Sequence, residues 1–474
     1  MTALWTAGDA VRATGAAPIQ GASWAANGIS IDTRAVAASD LFVALKGPRF
    51  DGHDFVGAAL ANGAAAAMVD RPMPGADPTR LLAVSDTQAG LEALAVAARA
   101  RTSARIVAIT GSVGKTGTKE ALAALLGAQA PTHASGGNLN NHIGMPLSLA
   151  RMPAASAFGV FEIGMNHAGE IAPLSAMLRP HVAIITNVEA VHLEYFADVT
   201  EIADAKAEIF AGLDRDGTAI LNRDNPYFGR LKSAAEARGI GAIWSFGETA
   251  GAEAHLTSVT LDPAGSLAEA TLLGRPVKFR LPLPGRHQVQ NALAVLLAVA
   301  AVGGDIDTAI RALEGLAPVK GRGVTSEVAV RGGSFKIIDE TYNASPAAVR
   351  AAVAVLGMIQ PPPGGRRIVA LGDMLEMGDT GPQAHAGLAD ALIAAGIDQL
   401  FTAGPLMRHL QDAVPAGMKA GHAADSKALG PIVAASAGPG DIVLVKGSAG
   451  SNMSAVVTAL RQRASSGSET DSAV

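Results

Sequence analysis

The 474 residues contain no cysteine, which excludes a disulfide framework, thiol catalysis and any thiolate metal site. Aromatic residues are scarce at 4%, but hydrophobic residues make up 49%, enough to fill a large core and to exclude general disorder. Charge is sparse too: Lys and Arg number 37 against 42 Asp and Glu, a net charge of -5, and no basic block occurs. The electrostatic footprint that holds nucleic acid or anionic lipid is therefore missing, and small molecules are the expected partners. Long apolar runs are missing as well. Residues 291–302 stop at Gly303-Gly304, short of the roughly 20 residues of a membrane span, and read as a buried helix. Residues 1–15 lack the basic and apolar segments of an export signal, so a cytoplasmic chain without membrane insertion is expected; a monomer is the working expectation, which nothing in the sequence decides.

What is present is alternation. At roughly 100–200 residues per domain the length implies two to four domains, and three are expected. In 1–102 short β-like runs (40–45, 80–84) alternate with Ala-rich helical segments (54–65, 90–100), an α/β pattern. In 103–318 the strand-like runs 105–110, 158–163, 181–186 and 218–221 alternate with helices, which predicts a mostly parallel sheet. The pattern resets near 318–323. Runs at 335–339, 367–371, 399–403 and 441–445 then give a third, Rossmann-like α/β unit over 319–465. The Pro361-Pro-Pro-Gly-Gly365 run lies between a predicted helix and strand of that unit and reads as a surface loop. The Ser-rich stretch 466–474 is expected to be a disordered tail.

The strongest motif is Thr110-Gly-Ser-Val-Gly-Lys-Thr116, after a buried strand and before a helix predicted at 119–129. Gly111, Ser112, Val113, Gly114 and Gly117 can fold tightly so that backbone N–H groups and the helix N-terminus face phosphates. Lys115 adds positive charge and Thr116 offers a hydroxyl to magnesium. This is the short G-x-x-G-K-T form of the phosphate loop, since Ile109 stands where the longer pattern has Gly. No Asn-Lys-x-Asp follows, which favours ATP over GTP. The loop alone would equally serve a kinase or a transport ATPase.

Other motifs extend the series: Gly137-Asn-Leu-Asn140-Asn141, Ile143-Gly-Met-Pro146, Glu162-Ile-Gly-Met-Asn-His167 and Ala190-Val-His192-Leu-Glu194. Then come Ala205-Lys206-Ala-Glu-Ile209, Pro284-Gly-Arg-His287 with Asn291, Gly321-Arg322, and Asp339-Glu-Thr-Tyr342-Asn-Ala-Ser-Pro346. In this order, across nearly the whole chain, they resemble the Mur ligases of peptidoglycan synthesis. Thr341-Tyr-Asn-Ala-Ser-Pro346 and Leu371-Gly-Asp-Met-Leu-Glu-Met-Gly378 are similar to the D-alanyl-D-alanine-adding branch. The Asp-Asn-Pro-Arg motif of the diaminopimelate- or lysine-adding branch is absent. The chain departs from the pattern at His142, where an acidic residue is common, at Gln288, which replaces Asn, and at Lys446-Gly-Ser-Ala-Gly450, which lacks an Arg.

The resemblance implies an ATP- and Mg²⁺-dependent ligase with three α/β domains: one binding the uridine nucleotide, a central ATPase, and a Rossmann-like third. It implies that D-alanyl-D-alanine joins UDP-N-acetylmuramoyl-tripeptide through an acyl phosphate, with Lys115, His192 and Lys206 catalytic. Magnesium ligands would be Thr116, Glu162, His192 and Lys206, the last as a CO₂-derived carbamate. Asn291, Arg322, Asp339 and Tyr342 would contact ATP, and Ser30, Thr33, Arg34, Asn140 and Asn141 the UDP substrate. On residues alone plainer readings stand beside these. An Asp-x-Arg triplet is commonly a surface ion pair, and Lys206 could pair with Asp204 or Glu208, although residues two apart on a helix do not face each other. A ligase for another amino acid and a P-loop kinase also remain open. The kinase gives no reason for Glu162, His192 and Lys206 to follow in this order.

Overall fold

The computed structural model describes residues 3–466. Three parallel or mostly parallel sheets carry the fold, one in each stretch where the sequence predicts a βα series. The first has four parallel strands, Gly28–Ser30, Asp40–Val43, Ala66–Val69 and Leu81–Ala83, in sequential order. A ribbon of Trp5–Thr6 and Ala25–Ala26 stands beside it. This unit is not packed separately. The Trp5 indole N–H donates to the Ala150 carbonyl at 3.0 Å, the Arg151 Nε–H donates to Ile29 at 2.7 Å, and one hydrophobic core runs from Trp5 and Leu41 to Phe161 and Phe210.

The central sheet has nine strands. Its parallel heart is Arg105–Thr110, flanked by Phe158–Glu162 on one side and Val182–Ile185 on the other, so strand order reverses around the phosphate-loop strand. Ligand sites of α/β sheets form where such reversals leave a crevice beyond the carboxyl ends of strands. The strand expected at 105–110 spans those residues, and its buried Ile106 to Thr110 show why the run is continuously apolar: both faces are covered. An antiparallel meander, Ala254–Asp262, Gly265–Leu272 and Arg275–Leu281, extends the sheet without any counterpart in the sequence expectations. The apolar run at 291–302 lies in the helix Arg286–Ala301 and its C-cap Val302, buried against the sheet.

The third sheet has six strands. An antiparallel edge strand, Val324–Val330, precedes five parallel ones: Gly333–Glu340, Ile442–Lys446, Arg367–Gly372, Gln399–Ala403 and Lys419–Ala423 in spatial order. The Pro361–Gly365 loop connects the helix Pro346–Met358 to the strand Arg367–Gly372, as expected. The last helix, Ser454–Ser466, reaches the position where the tail was expected to begin, and residues 467–474 lie outside the described residues. Among the described residues no helix is long and apolar enough to cross a membrane.

Candidate active site

The central and third sheets turn the carboxyl ends of their parallel strands toward one cavity of about 990 Å³. On the central side the phosphate loop leaves the strand Arg105–Thr110 and enters the helix Lys115–Gly127. Gly111 (φ +148°) and Gly114 (φ +85°) hold backbone conformations that a side chain would resist. Contact adds to the requirement: a Cβ on Gly111 would stand 2.0 Å from Thr186 Oγ1, and one on Gly114 3.0 Å from Asn291 Oδ1. The segment after Val182–Ile185 braces the loop. Thr186 Oγ1 donates to the Val113 carbonyl at 2.6 Å, and the Ser112 N–H donates to the Asn187 carbonyl at 2.8 Å. Lys115 folds over the loop and donates to the Gly111 carbonyl at 2.6 Å, and burial lowers its pKa.

A hydrogen-bonded chain then crosses the cavity. Arg322 donates to Thr116 Oγ1 at 3.0 Å, the Thr116 hydroxyl donates to Glu162 Oε2 at 2.8 Å, and Asn140 donates to Glu162 Oε1 at 2.8 Å. Glu162, at the end of Phe158–Glu162, is only 2% exposed. Arg322 also stacks 4.0 Å over the Tyr342 ring, and its Nε is buried without an acceptor among the described residues. A buried guanidinium N–H without an acceptor suits an anionic ligand such as phosphate.

His192 lies on the cavity wall, and its Nδ1 meets the Glu376 carboxylate of the third sheet's unit at 2.5 Å. Burial lowers its pKa against the pull of Glu376. Lys206 is 2% exposed, and its side chain makes no hydrogen bond or ion pair with the described residues. Neither plain partner is available to it: Asp204 is engaged by Arg230, and Glu208 accepts the backbone N–H groups of Gly169, Ile171 and Ala172. Burial, then the nearby Lys115 charge, holds its ammonium well below the ordinary lysine range.

Lys206 and Gly111 are not among the residues that line the cavity, and other expected residues fall outside its lining as well. Asp339 is buried and accepts from the Thr341 N–H and hydroxyl, capping the turn that presents Tyr342. The Asn141 amide oxygen takes the N–H groups of Ile143 and Gly144 at the start of the helix Gly144–Ala150. Ser30, Thr33 and Arg34 belong to the first unit. The Ser30 hydroxyl bonds the Asp32 backbone, and the Arg34 fork holds the Asp32 carboxylate in an exposed ion pair.

Comparison with known proteins identifies the family of the three units. Residues 26–106 match the model of the Mur ligase family catalytic domain, 109–299 the Mur ligase middle domain, and 326–449 the Mur ligase glutamate ligase domain. The UDP-N-acetylmuramoyl-tripeptide--D-alanyl-D-alanine ligase of Escherichia coli (strain K12) is 37% identical over 448 residues, 94% of this chain and 96% of that one. The chain belongs to the Mur ligase family. Within the family it is similar to crystal structure I of MurF from Acinetobacter baumannii, with TM-score 0.84, 31% identity, and 97% and 99% of the two chains covered. It is also similar to the MurF ligase of Thermotoga maritima in complex with ADP, with TM-score 0.76, 27% identity, and 93% and 98% covered.

Several residues of this Mur ligase's cavity were not singled out from sequence. Thr186 and Asn187 brace the loop, Lys446 is 4% exposed and donates to Glu340 Oε2 and the Asn343 carbonyl, and Glu376 holds His192. The last two lie in the segments 446–450 and 371–378, so the signal was the motif and only the role was missing. The oxygen donors Thr116 Oγ1 and Glu162 Oε2, 2.8 Å apart, fit a hard cation such as Mg²⁺. Among the described residues no three His, Cys, Asp or Glu side chains cluster as metal ligands, so a carboxylate formed on Lys206 would enlarge the donor set.

Proposed function

We propose that this Mur ligase uses ATP to join D-alanyl-D-alanine to UDP-N-acetylmuramoyl-tripeptide, giving the pentapeptide precursor of peptidoglycan, as a cytoplasmic monomer. The observation that carries the reading is the chain Arg322 to Thr116 to Glu162, which places a cation of the third unit on the phosphate-loop hydroxyl. The relative 37% identical over 94% of the chain bears the name of that activity.

A carboxylate is a poor electrophile, so its terminal oxygen first attacks the γ-phosphorus of ATP and the β,γ-bridging P–O bond breaks, releasing ADP. The amine of the dipeptide then attacks the acyl carbon of the acyl phosphate and inorganic phosphate leaves. Charge in the first step spreads over phosphoryl oxygens, so positioned cations do most of the work. Lys115 exchanges its carbonyl contacts for β- and γ-phosphate oxygens, and Arg322 turns its free Nε–H toward the same group. Gly111, Ser112, Val113, Gly114 and Gly117 shape the phosphate cradle, and Asn291 and Tyr342 complete the nucleotide site, with Asp339 acting through the turn that presents Tyr342. Mg²⁺ held by Thr116, Glu162, His192 and Lys206 would neutralise phosphate charge. Lys206 serves as a carbamate, formed when its uncharged amine attacks CO₂ and a proton is lost. A dipeptide amino group with a pKa near 8 is partly neutral at pH 7 and requires no dedicated base. Ser30, Thr33, Arg34, Asn140 and Asn141 are assigned to the UDP substrate, with Arg34 exchanging Asp32 for diphosphate.

The test is phosphate release from ATP and Mg²⁺ with the UDP-tripeptide, with and without D-alanyl-D-alanine. Release that requires both substrates and a pentapeptide product by mass is expected. Release indifferent to the dipeptide would reject the substrate assignment.

A further inference from the structure

The contact between the third unit and the loop 190–195 carries a role that phosphate chemistry alone does not explain. Six described non-glycine residues have positive φ, and two of them, His192 (φ +58°) and Glu376 (φ +62°), face each other in this contact. Left-handed backbone is costly for such residues and persists where surrounding structure holds it, commonly at functional sites. Here the holding is mutual. The Glu194 N–H donates to the Glu376 carbonyl at 3.3 Å, and Leu193 packs on the third unit's core. Gly378 (φ +50°) lies so close that a Cβ would stand 3.1 Å from the Leu193 carbonyl. The backbone thus aims both side chains at one point, where Nδ1 and Oε2 are 2.5 Å apart.

A carboxylate only accepts hydrogen bonds, so Nδ1 carries the proton of this contact, and Nε2 is left without a hydrogen-bond partner among the described residues. We propose that Glu376 is a positioning residue: it fixes the tautomer and ring orientation of His192 from the opposite unit, so that His192 becomes a competent ligand only when the third unit is docked. This rests on the proposed role of His192 toward Mg²⁺. Carboxylates that accept the second ring N–H of a ligating histidine raise its basicity and order it, and losing one costs about 10–100-fold in metal affinity or activity. The arrangement makes metal-site assembly conditional on domain docking, which guards against idle ATP hydrolysis.

The test is Mn²⁺ binding to the full chain with ADP present, followed by electron paramagnetic resonance, for wild type, E376A, E376Q and H192A, alongside kcat and KM. E376A is expected to weaken Mn²⁺ binding about tenfold or more, to match H192A, and to lower kcat with little change in the KM for ATP. E376Q, whose amide oxygen can accept the same proton, retains most of the affinity. Wild-type affinity in E376A, or equal losses in E376A and E376Q, overturns the proposal. A wild-type chain that binds no Mn²⁺ with ADP would instead overturn the metal reading, and the proposal with it.

Discussion

Arg322 and Thr116 are 206 residues apart in sequence, yet the guanidinium donates to the hydroxyl at 3.0 Å, tying the third unit to the phosphate loop. One arginine thereby reports on docking and can stabilise charge that develops during phosphoryl transfer. Arg322→Ala is expected to lower kcat by about 10²–10³-fold, the usual loss when one positioned donor of a transition-state charge is removed. Arg322→Lys should recover little, because an ammonium cannot bond Thr116, stack on Tyr342 and keep an N–H for phosphate at once. Steady-state kinetics at saturating ATP check this, and a kcat within twofold of wild type in R322A would sink the role.

Lys206 sets function against stability. Its pKa is depressed by burial in the folded chain and ordinary in the unfolded one, so between the two values the unfolded chain binds the extra proton. Stability therefore climbs as pH rises through that window toward about 10 and is lowest below it. Lys206→Met, of similar shape without the amine, should melt higher than CO₂-free wild type by roughly 1 kcal/mol at neutral pH, with the gap closing as pH rises. It should also be inactive. Lys206→Ala should likewise lose activity, and added formate or acetate should restore part of it by supplying the missing carboxylate. Full activity of K206A without those acids would reject the carbamate.

Local features were legible in the sequence and crossings were not. The strands Arg105–Thr110 and Gln399–Ala403 stand where apolar runs placed them, since continuous burial writes itself as continuous hydrophobicity. The helix expected at 119–129 begins at Lys115 because Gly114, in the left-handed region, caps it directly, and polar Lys, Thr and Gly hid the first turn. The meander over 254–281 was missed because its strands mix Thr, Ser, Glu and Lys along half-exposed faces and join by short turns that no long apolar run announces. Motifs pointed to Thr116, Glu162, His192 and Lys206. No spacing could pair His192 with Glu376 or Thr116 with Arg322, because the docking of the third unit against the central one determines those contacts.

Gly111 offers a test of the loop that separates geometry from chemistry. A Cβ there would stand 2.0 Å from Thr186 Oγ1 and 3.1 Å from the Asn187 N–H, at φ +148°, so Gly111→Ala must displace the segment that braces Ser112 and Val113. An overpacked contact of this kind costs about 1–3 kcal/mol, and ADP affinity measured by calorimetry should fall with it. Thr186→Ala alone loses the hydrogen bond to the Val113 carbonyl, a loss of about 1 kcal/mol. Combined with Gly111→Ala it also removes the atom in the way. The double variant is therefore expected to be less destabilised than the two single losses added together, which is the signature of residues in direct contact. Strict additivity in melting and in ADP binding would mean that Gly111 is required for its backbone conformation alone, and that Thr186 does not limit the space beside the loop.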